Sequence, residues 1–175
     1  LAMAAFRDAG VPAPRTALAE VMLTVPGKHD KAYLGLYAAV EGVDRYRAPL
    51  VMEGGAIHSD GQGTLLVTEQ CLLNRNRNPQ LSRGQIESML RDYTGATTIV
   101  WLGEGVINDE TDGHVDNLAC FARPGEVCLT FPANRRDPQW RVSNDALDRL
   151  AAARDARGRR FTVHRLPSPG PLRMT

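Results

Sequence analysis

One feature constrains this chain more than any other: the same order of predicted elements occurs twice. Residues 49–58 (PLVMEGGAIH) read as a strand interrupted at Gly54–Gly55, where the backbone bends or meets something closely. Asp60–Gly61 is a turn dipeptide, and residues 63–68 (GTLLVT) read as the returning strand. A polar loop runs from Asn74 to Pro79. Ser82 then opens a helix over 83–92, with Ile86, Met89 and Leu90 at helical spacing. Gly95 ends that helix, and Thr97–Leu102 (TTIVWL) is β-branched, apolar and therefore a buried strand. In the second pass, 115–122 (VDNLACFA) reads as a strand, Pro124–Gly125 as a turn and 126–131 (EVCLTF) as a strand. A helix near 138–153 carries Trp140, Val142, Ala146, Leu147 and Leu150 on one side, and Gly158 is placed to cap its exit. Residues 160–166 (RFTVHRL) form a strand, and Pro167, Pro169 and Pro171 an extended tail.

Strand–strand–helix–strand therefore recurs at a separation of roughly 60 residues, the mark of an array of supersecondary units. Two such units rarely close a repeat fold, because each needs neighbours to cover its faces. The pattern alone predicts part of a propeller-like α/β array with exposed sheet edges and apolar faces. Residues 1–40 show no lasting period and are broken by Gly10, Pro12, Pro14, Pro26 and Gly27; within 30–41 (DKAYLGLYAAVE) the composition predicts a short helix.

Composition narrows the function classes. With 175 residues, 43% hydrophobic and 23% charged, the chain suits one domain or a large piece of one. A net charge of +1 gives no electrostatic case for nucleic acid or an anionic membrane. Arg157, Arg159 and Arg160 are the densest basic cluster and read as a solvated helix-to-strand turn. Cys71, Cys120 and Cys128 are odd in number and include no C-x-x-C, so reduced thiols and a cytoplasmic location are expected. No 18-residue apolar run and no signal-peptide pattern occurs. A first residue of Leu suggests that the sequence does not begin at a natural start.

Two polar clusters occupy corresponding places in the two passes: Glu53-Gly-Gly-Ala-Ile-His58-Ser-Asp60 and Asp112-Gly113-His114-Val115-Asp116-Asn117. Glu53 lies in an apolar stretch. It either faces water at a strand end or lines a cleft where the glycines let a ligand approach. His114 and Asp116, two apart, would share one face of a strand and could reach one ligand; the alternative is a polar surface turn. His58 and Asp60 form a second His-x-Asp, and the two pairs together allow a transition-metal reading. A hairpin turn explains Asp60-Gly-Gln-Gly better. His164 alternates with apolar neighbours and reads as structural. All three cysteines lie among apolar residues and read as buried filler.

With these residues in place, a resemblance becomes specific. RYRAPLVMEGGAIHSDGQGTLLVTEQCLLNRNRNP, WLGEGVINDETDGHVDNLACFARPG and DARGRRFTVHRLPSPGPLRMT, in this order and spacing, closely resemble the agmatine deiminases of the Porphyromonas-type peptidyl-arginine deiminase family. The likeness covers about residues 41–175, and residues 1–40 do not match. It implies the pentein α/β propeller of five ββαβ modules, of which this chain supplies two or three. It implies hydrolysis of agmatine to N-carbamoylputrescine and ammonia, with no metal or organic cofactor and no nucleic-acid or membrane partner; a homo-oligomer is left open. Carried over by motif, Glu53 binds guanidinium nitrogens, His114 is the general acid and base, and Asp116 grips the guanidinium. Glu110 lies where the family places an acidic residue near the substrate. Asp112 departs from the asparagine common in the family. The family's nucleophilic cysteine belongs to a G-G-N-x-H-C motif that this chain does not contain. Its upstream R-D-x-G-P aspartate is only faintly echoed at Arg7-Asp8-Ala9-Gly10-Val11-Pro12. The resemblance thus implies a fragment without turnover of its own. The rival readings are a peptidyl-arginine or free-arginine deiminase, a non-catalytic interaction module, and a metal hydrolase.

Overall fold

The computed structural model describes residues 49–168 in full and the backbone of residues 16–25 and 29–40. The chain divides into two compact units, Leu1–Arg47 and Ala48–Thr175. In the first, β1 (Thr16–Val25) pairs antiparallel with β2 (His29–Val40), from Thr16 opposite Val40 to Val25 opposite His29. The helix expected at 30–41 is therefore a strand. Tyr33, Tyr37 and Val40 favour extended backbone and Gly35 weakens a helix. The pairing partner that decides the matter lies outside any local window.

In the second unit, the repeat inferred from the sequence appears as two three-stranded sheets of the same topology. β3 (Ile57–Ser59), β4 (Thr64–Thr68) and β5 (Thr98–Leu102) form the first, and β6 (Ala119–Arg123), β7 (Glu126–Phe131) and β8 (Thr162–Pro167) the second. In each, the first pair is antiparallel and the second parallel. The helix of each unit makes the crossover that a parallel pair requires. Helix Arg83–Thr94 starts at a capping box in which Ser82 and Gln85 satisfy each other's backbone, and it stops at Gly95, whose φ of 72° suits glycine. Helix Pro138–Ala152 begins with Asp137 accepting from Gln139 N, and with proline in its first turn.

Packing explains why β4 is apolar throughout. All five of its residues are buried. Leu65 and Val67 join Ile86, Leu90 and Trp101 in one core, whereas Leu66, Val100 and Leu102 join the other. That second core also holds Val127, Leu129 and Phe131 of β7 and Val142, Ala146 and Leu150 of the Pro138–Ala152 helix. This helix therefore lies between the two sheets. Burying a side chain such as Leu150, which is fully enclosed, contributes about 2 kcal/mol.

Four boundaries depart from the sequence reading. Of the strand expected over 49–58, only Ile57 and His58 join a sheet, as the start of β3, after a single 3₁₀ turn at Gly54–Ala56. The strand expected from 115 begins at Ala119, after a helical turn, Val115–Leu118. A further turn of helix, Glu69–Leu72, follows β4 with Thr68 as its cap. Gly158 does not cap the long helix, which ends at Ala153 through a bond to the Arg149 carbonyl. Instead Gly158 (φ 77°) closes a loop on Asp155, whose carboxylate accepts from Arg157 N, Arg159 N and Arg159 Nε. Of the proline tail, Pro169 and Pro171 lie outside the described residues. No helix among the described residues is long and apolar enough to cross a membrane.

Candidate active site

Glu53 caps the 3₁₀ turn at Gly54–Ala56, with Ala56 N donating to its carbonyl at 3.1 Å. His114 caps the turn Val115–Leu118, and its N–H reaches Thr111 Oγ1 at 3.3 Å. His114 and Asp116 therefore do not meet through strand alternation, as the sequence implied. They meet because both press on Gly55. A Cβ at Gly55 would lie 2.5 Å from His114 Nδ1 and 2.7 Å from Asp116 Oδ2, so glycine alone fits there. On the other side of the ring, His114 Nε2 lies 3.6 Å from Glu53 Oε2. Glu53, His114 and Asp116 thus converge around one glycine turn.

The loop that delivers His114 is tightly built. Thr68 Oγ1 donates to the Gly113 carbonyl at 2.5 Å while accepting from Cys71 N. Gln70 Oε1 accepts from Gly105 N at 2.8 Å. Gly105 and Gly113 pack so closely that a Cβ on Gly105 would fall 2.4 Å from Gly113 Cα. Asp112 sits at φ 56°, a left-handed conformation that short polar side chains tolerate. Its carboxylate accepts from Asn76 Nδ2 at 2.7 Å. Asp112 is thus used as an acceptor by the neighbouring loop. Asp109 accepts from the Thr111 hydroxyl and from Asn117.

Arg77 is the residue the sequence reading missed. Its side chain is 9% exposed. Nε donates to both oxygens of Glu53, at 2.8 and 3.1 Å, Nη2 to the Thr111 carbonyl at 2.7 Å, and Nη1 to Asn76 Oδ1 at 3.1 Å. Asp112 adds an ion pair at 3.4 Å. One guanidinium therefore ties the Glu53 turn, the Asn74–Pro79 loop and the His114 loop together. Burial pushes the Glu53 carboxyl up, but the Arg77 hydrogen bond and charge more than offset it, so its pKa lies below the ordinary value. Four carboxylates (Glu53, Asp109, Asp112 and Asp116) against one guanidinium leave the locality net negative, which suits a cationic ligand. The N-R-N-P motif was visible in the sequence. Nothing local in it pointed to a carboxylate 24 residues away.

Other candidates fall elsewhere. Glu110 is exposed and makes no hydrogen bond or ion pair among the described residues. His58 Nδ1 accepts from Phe121 N at 3.2 Å, and Asp60 Oδ1 accepts from Gln62 N and Thr64 N within its turn, so the paired His-x-Asp metal reading is replaced by two structural roles. His164 is not enclosed: it is exposed and pairs with Glu126 at 3.0 Å. Of the cysteines, only Cys71 is fully buried, and burial pushes its thiol up to about 11. Cys120 and Cys128 are half-buried and face each other across β6 and β7, because β7 turns Val127, Leu129 and Phe131 to the core instead. None of the three has the exposed, electropositive setting of a reactive thiolate. Glu53, Cys71 and His114 present potential metal-ligand atoms within 4.8 Å of one another. Cavities of about 520 and 460 Å³, one lined by Ile107 and Gln139 and the other by Trp140 and Arg165, have none of these three residues in their walls.

Comparison with known proteins places the chain in a family. The Porphyromonas-type peptidyl-arginine deiminase family matches residues 23–175. An agmatine deiminase of Pseudomonas putida is 50% identical over 154 residues, covering 87% of this chain and 42% of that protein. One of Stutzerimonas stutzeri is 56% identical over 134 residues, covering 76% and 36%. Among solved structures, an agmatine deiminase of Enterococcus faecalis superposes with a TM-score of 0.70 at 47% identity, covering 74% of this chain and 36% of that one. A substrate-bound agmatine deiminase of C. jejuni gives 0.65 at 32% identity, covering 73% and 37%. The chain spans 36% to 42% of the length of these two sequence relatives. Its two ββαβ units are thus part of a pentein fold, and the chain belongs to the Porphyromonas-type peptidyl-arginine deiminase family.

Proposed function

We propose that this chain contributes the guanidinium-gripping and proton-transferring half of an agmatine deiminase site. The observation that carries the reading is the convergence of Glu53, His114 and Asp116 on the Gly54–Gly55 turn, two carboxylates and an imidazole in an anionic locality. A planar cation offers hydrogen-bond pairs that carboxylates accept well. Arg77 holds Glu53 through a single Nε, so each Glu53 oxygen keeps a lone pair for a ligand. The guanidinium carbon is a poor electrophile, and a thiolate splits the reaction into two easier steps. The thiolate adds to that carbon, His114 protonates the departing ammonia, and the C–N bond breaks. Water, deprotonated by His114, then displaces the sulfur and leaves the ureido product. The thiolate is none of Cys71, Cys120 and Cys128, so the 175-residue chain alone is expected to release no ammonia from agmatine.

A chimera tests this. Residues 48–175 replace the matching segment of the E. faecalis relative, and agmatine and arginine are compared by ammonia and ureido-product release. The expected result is turnover of agmatine in preference to arginine, lost by a factor of about 100 or more in His114→Gln. A folded chimera whose His114→Gln variant works as well as its parent would overturn the assignment.

A further inference from the structure

We infer that Glu53, Cys71 and His114 form a binding site for a thiophilic divalent cation such as Zn²⁺. Their donor atoms, one carboxylate oxygen, one sulfur and one imidazole nitrogen, lie within 4.8 Å of one another. His114 Nε2 is buried and has no hydrogen-bond partner. An orphaned buried nitrogen is costly, and a metal ion would satisfy it. Cys71 is fully enclosed and held on the turn Glu69–Leu72 by the Thr68 cap, so its sulfur is fixed beside the ring. Oxygen, nitrogen and sulfur donors with a fourth position open are the ligand set of tetrahedral zinc, and the thiolate selects against Mg²⁺ and Ca²⁺.

Bond lengths of about 2.0–2.3 Å place tetrahedral ligands some 3.3–3.8 Å apart, so the side chains need to close by about 1 Å. On binding, an S–metal bond forms and the Cys71 proton passes to solvent. The site thus gains one positive charge among four carboxylates and Arg77. Arg77 approaches Glu53 through Nε alone and leaves a carboxylate lone pair free for the metal. An ion so bound occupies two of the three groups assigned to the substrate.

The test is titration of the purified chain with Co²⁺ alone, reading the thiolate-to-cobalt charge-transfer absorption, followed by displacement with Zn²⁺. The absorption is expected in the parent and in Cys120→Ser/Cys128→Ser, and is expected to vanish in Cys71→Ser. Because Cys71 is enclosed, His114→Gln serves as the second variant. It should keep the fold by circular dichroism and weaken Co²⁺ by at least about tenfold, the lower end of what losing even an outer-shell partner costs a metal site. No absorption in the parent, its loss in the Cys120/Cys128 double variant, or unchanged affinity in His114→Gln would overturn the inference. The readout needs no turnover, so it fails or succeeds independently of the deiminase assignment.

Discussion

Replacing Arg77 by methionine keeps most of the side-chain volume and removes the charge and its hydrogen bonds. The bond to the Thr111 carbonyl, 2.7 Å long and partly buried, is worth about 1.5–3 kcal/mol as a charge-assisted contact. The Glu53 pair would be worth as much if enclosed, but the Glu53 side chain is 42% exposed, and solvent screening reduces it to about 1 kcal/mol. Asp112, at 3.4 Å and 47% exposed, adds at most about 0.5 kcal/mol. Burying the methionine stem returns roughly 1 kcal/mol. The net cost is about 2–3 kcal/mol. Both tryptophans, Trp101 and Trp140, lie in the second unit, so urea unfolding followed by their fluorescence reports on it. With a slope near 2 kcal/mol/M, the midpoint should fall by about 1–1.5 M. Lysine in place of Arg77 keeps a charge but cannot reach Glu53, Thr111 and Asn76 at once, so it should recover less than half of the loss. Glu53→Gln should be milder by about 1 kcal/mol in the methionine background than in the parent. An Arg77→Met midpoint within about 0.25 M of the parent, or equal cost of Glu53→Gln in both backgrounds, would refute the proposal that Arg77 ties the site together.

Two further outcomes follow from the same geometry. Gly55→Ala forces a methyl against His114 Nδ1 and Asp116 Oδ2; it should abolish chimera turnover while Gly54→Ala, which meets nothing within 4 Å, has a much smaller effect, and comparable rates in the two variants would contradict the convergence. Burial pushes the Glu53, Asp109 and Asp155 carboxyls up, but hydrogen bonds and nearby charge bring them below their ordinary values. Their contribution is therefore present above the unfolded-state pKa and lost as pH falls through the folded one. The urea midpoint should be flat near neutrality and drop below about pH 4, and Asp155→Asn should flatten that drop; an unchanged acid limb would speak against it.

Much of the architecture was legible in the residues themselves. Ser82 before its helix, Gly95 after it and the apolar runs of β5 and β7 are local signals, and each decides a conformation within a few residues. Their repetition was enough to imply two ββαβ units, and the motifs around Glu53, His114 and Asp116 were enough to single those residues out. Tertiary structure decided the rest, because the deciding partners are far apart in the chain. Residues 30–40 became a strand by pairing with 16–25, against a helical reading of their composition. His114 and Asp116 share a site through contact with Gly55, not through the strand alternation that their spacing suggested. Arg77 and Cys71 carry no signature that ties them to Glu53 or His114, since a charge pair or a buried thiol contact depends on distance in space and leaves no period in the sequence.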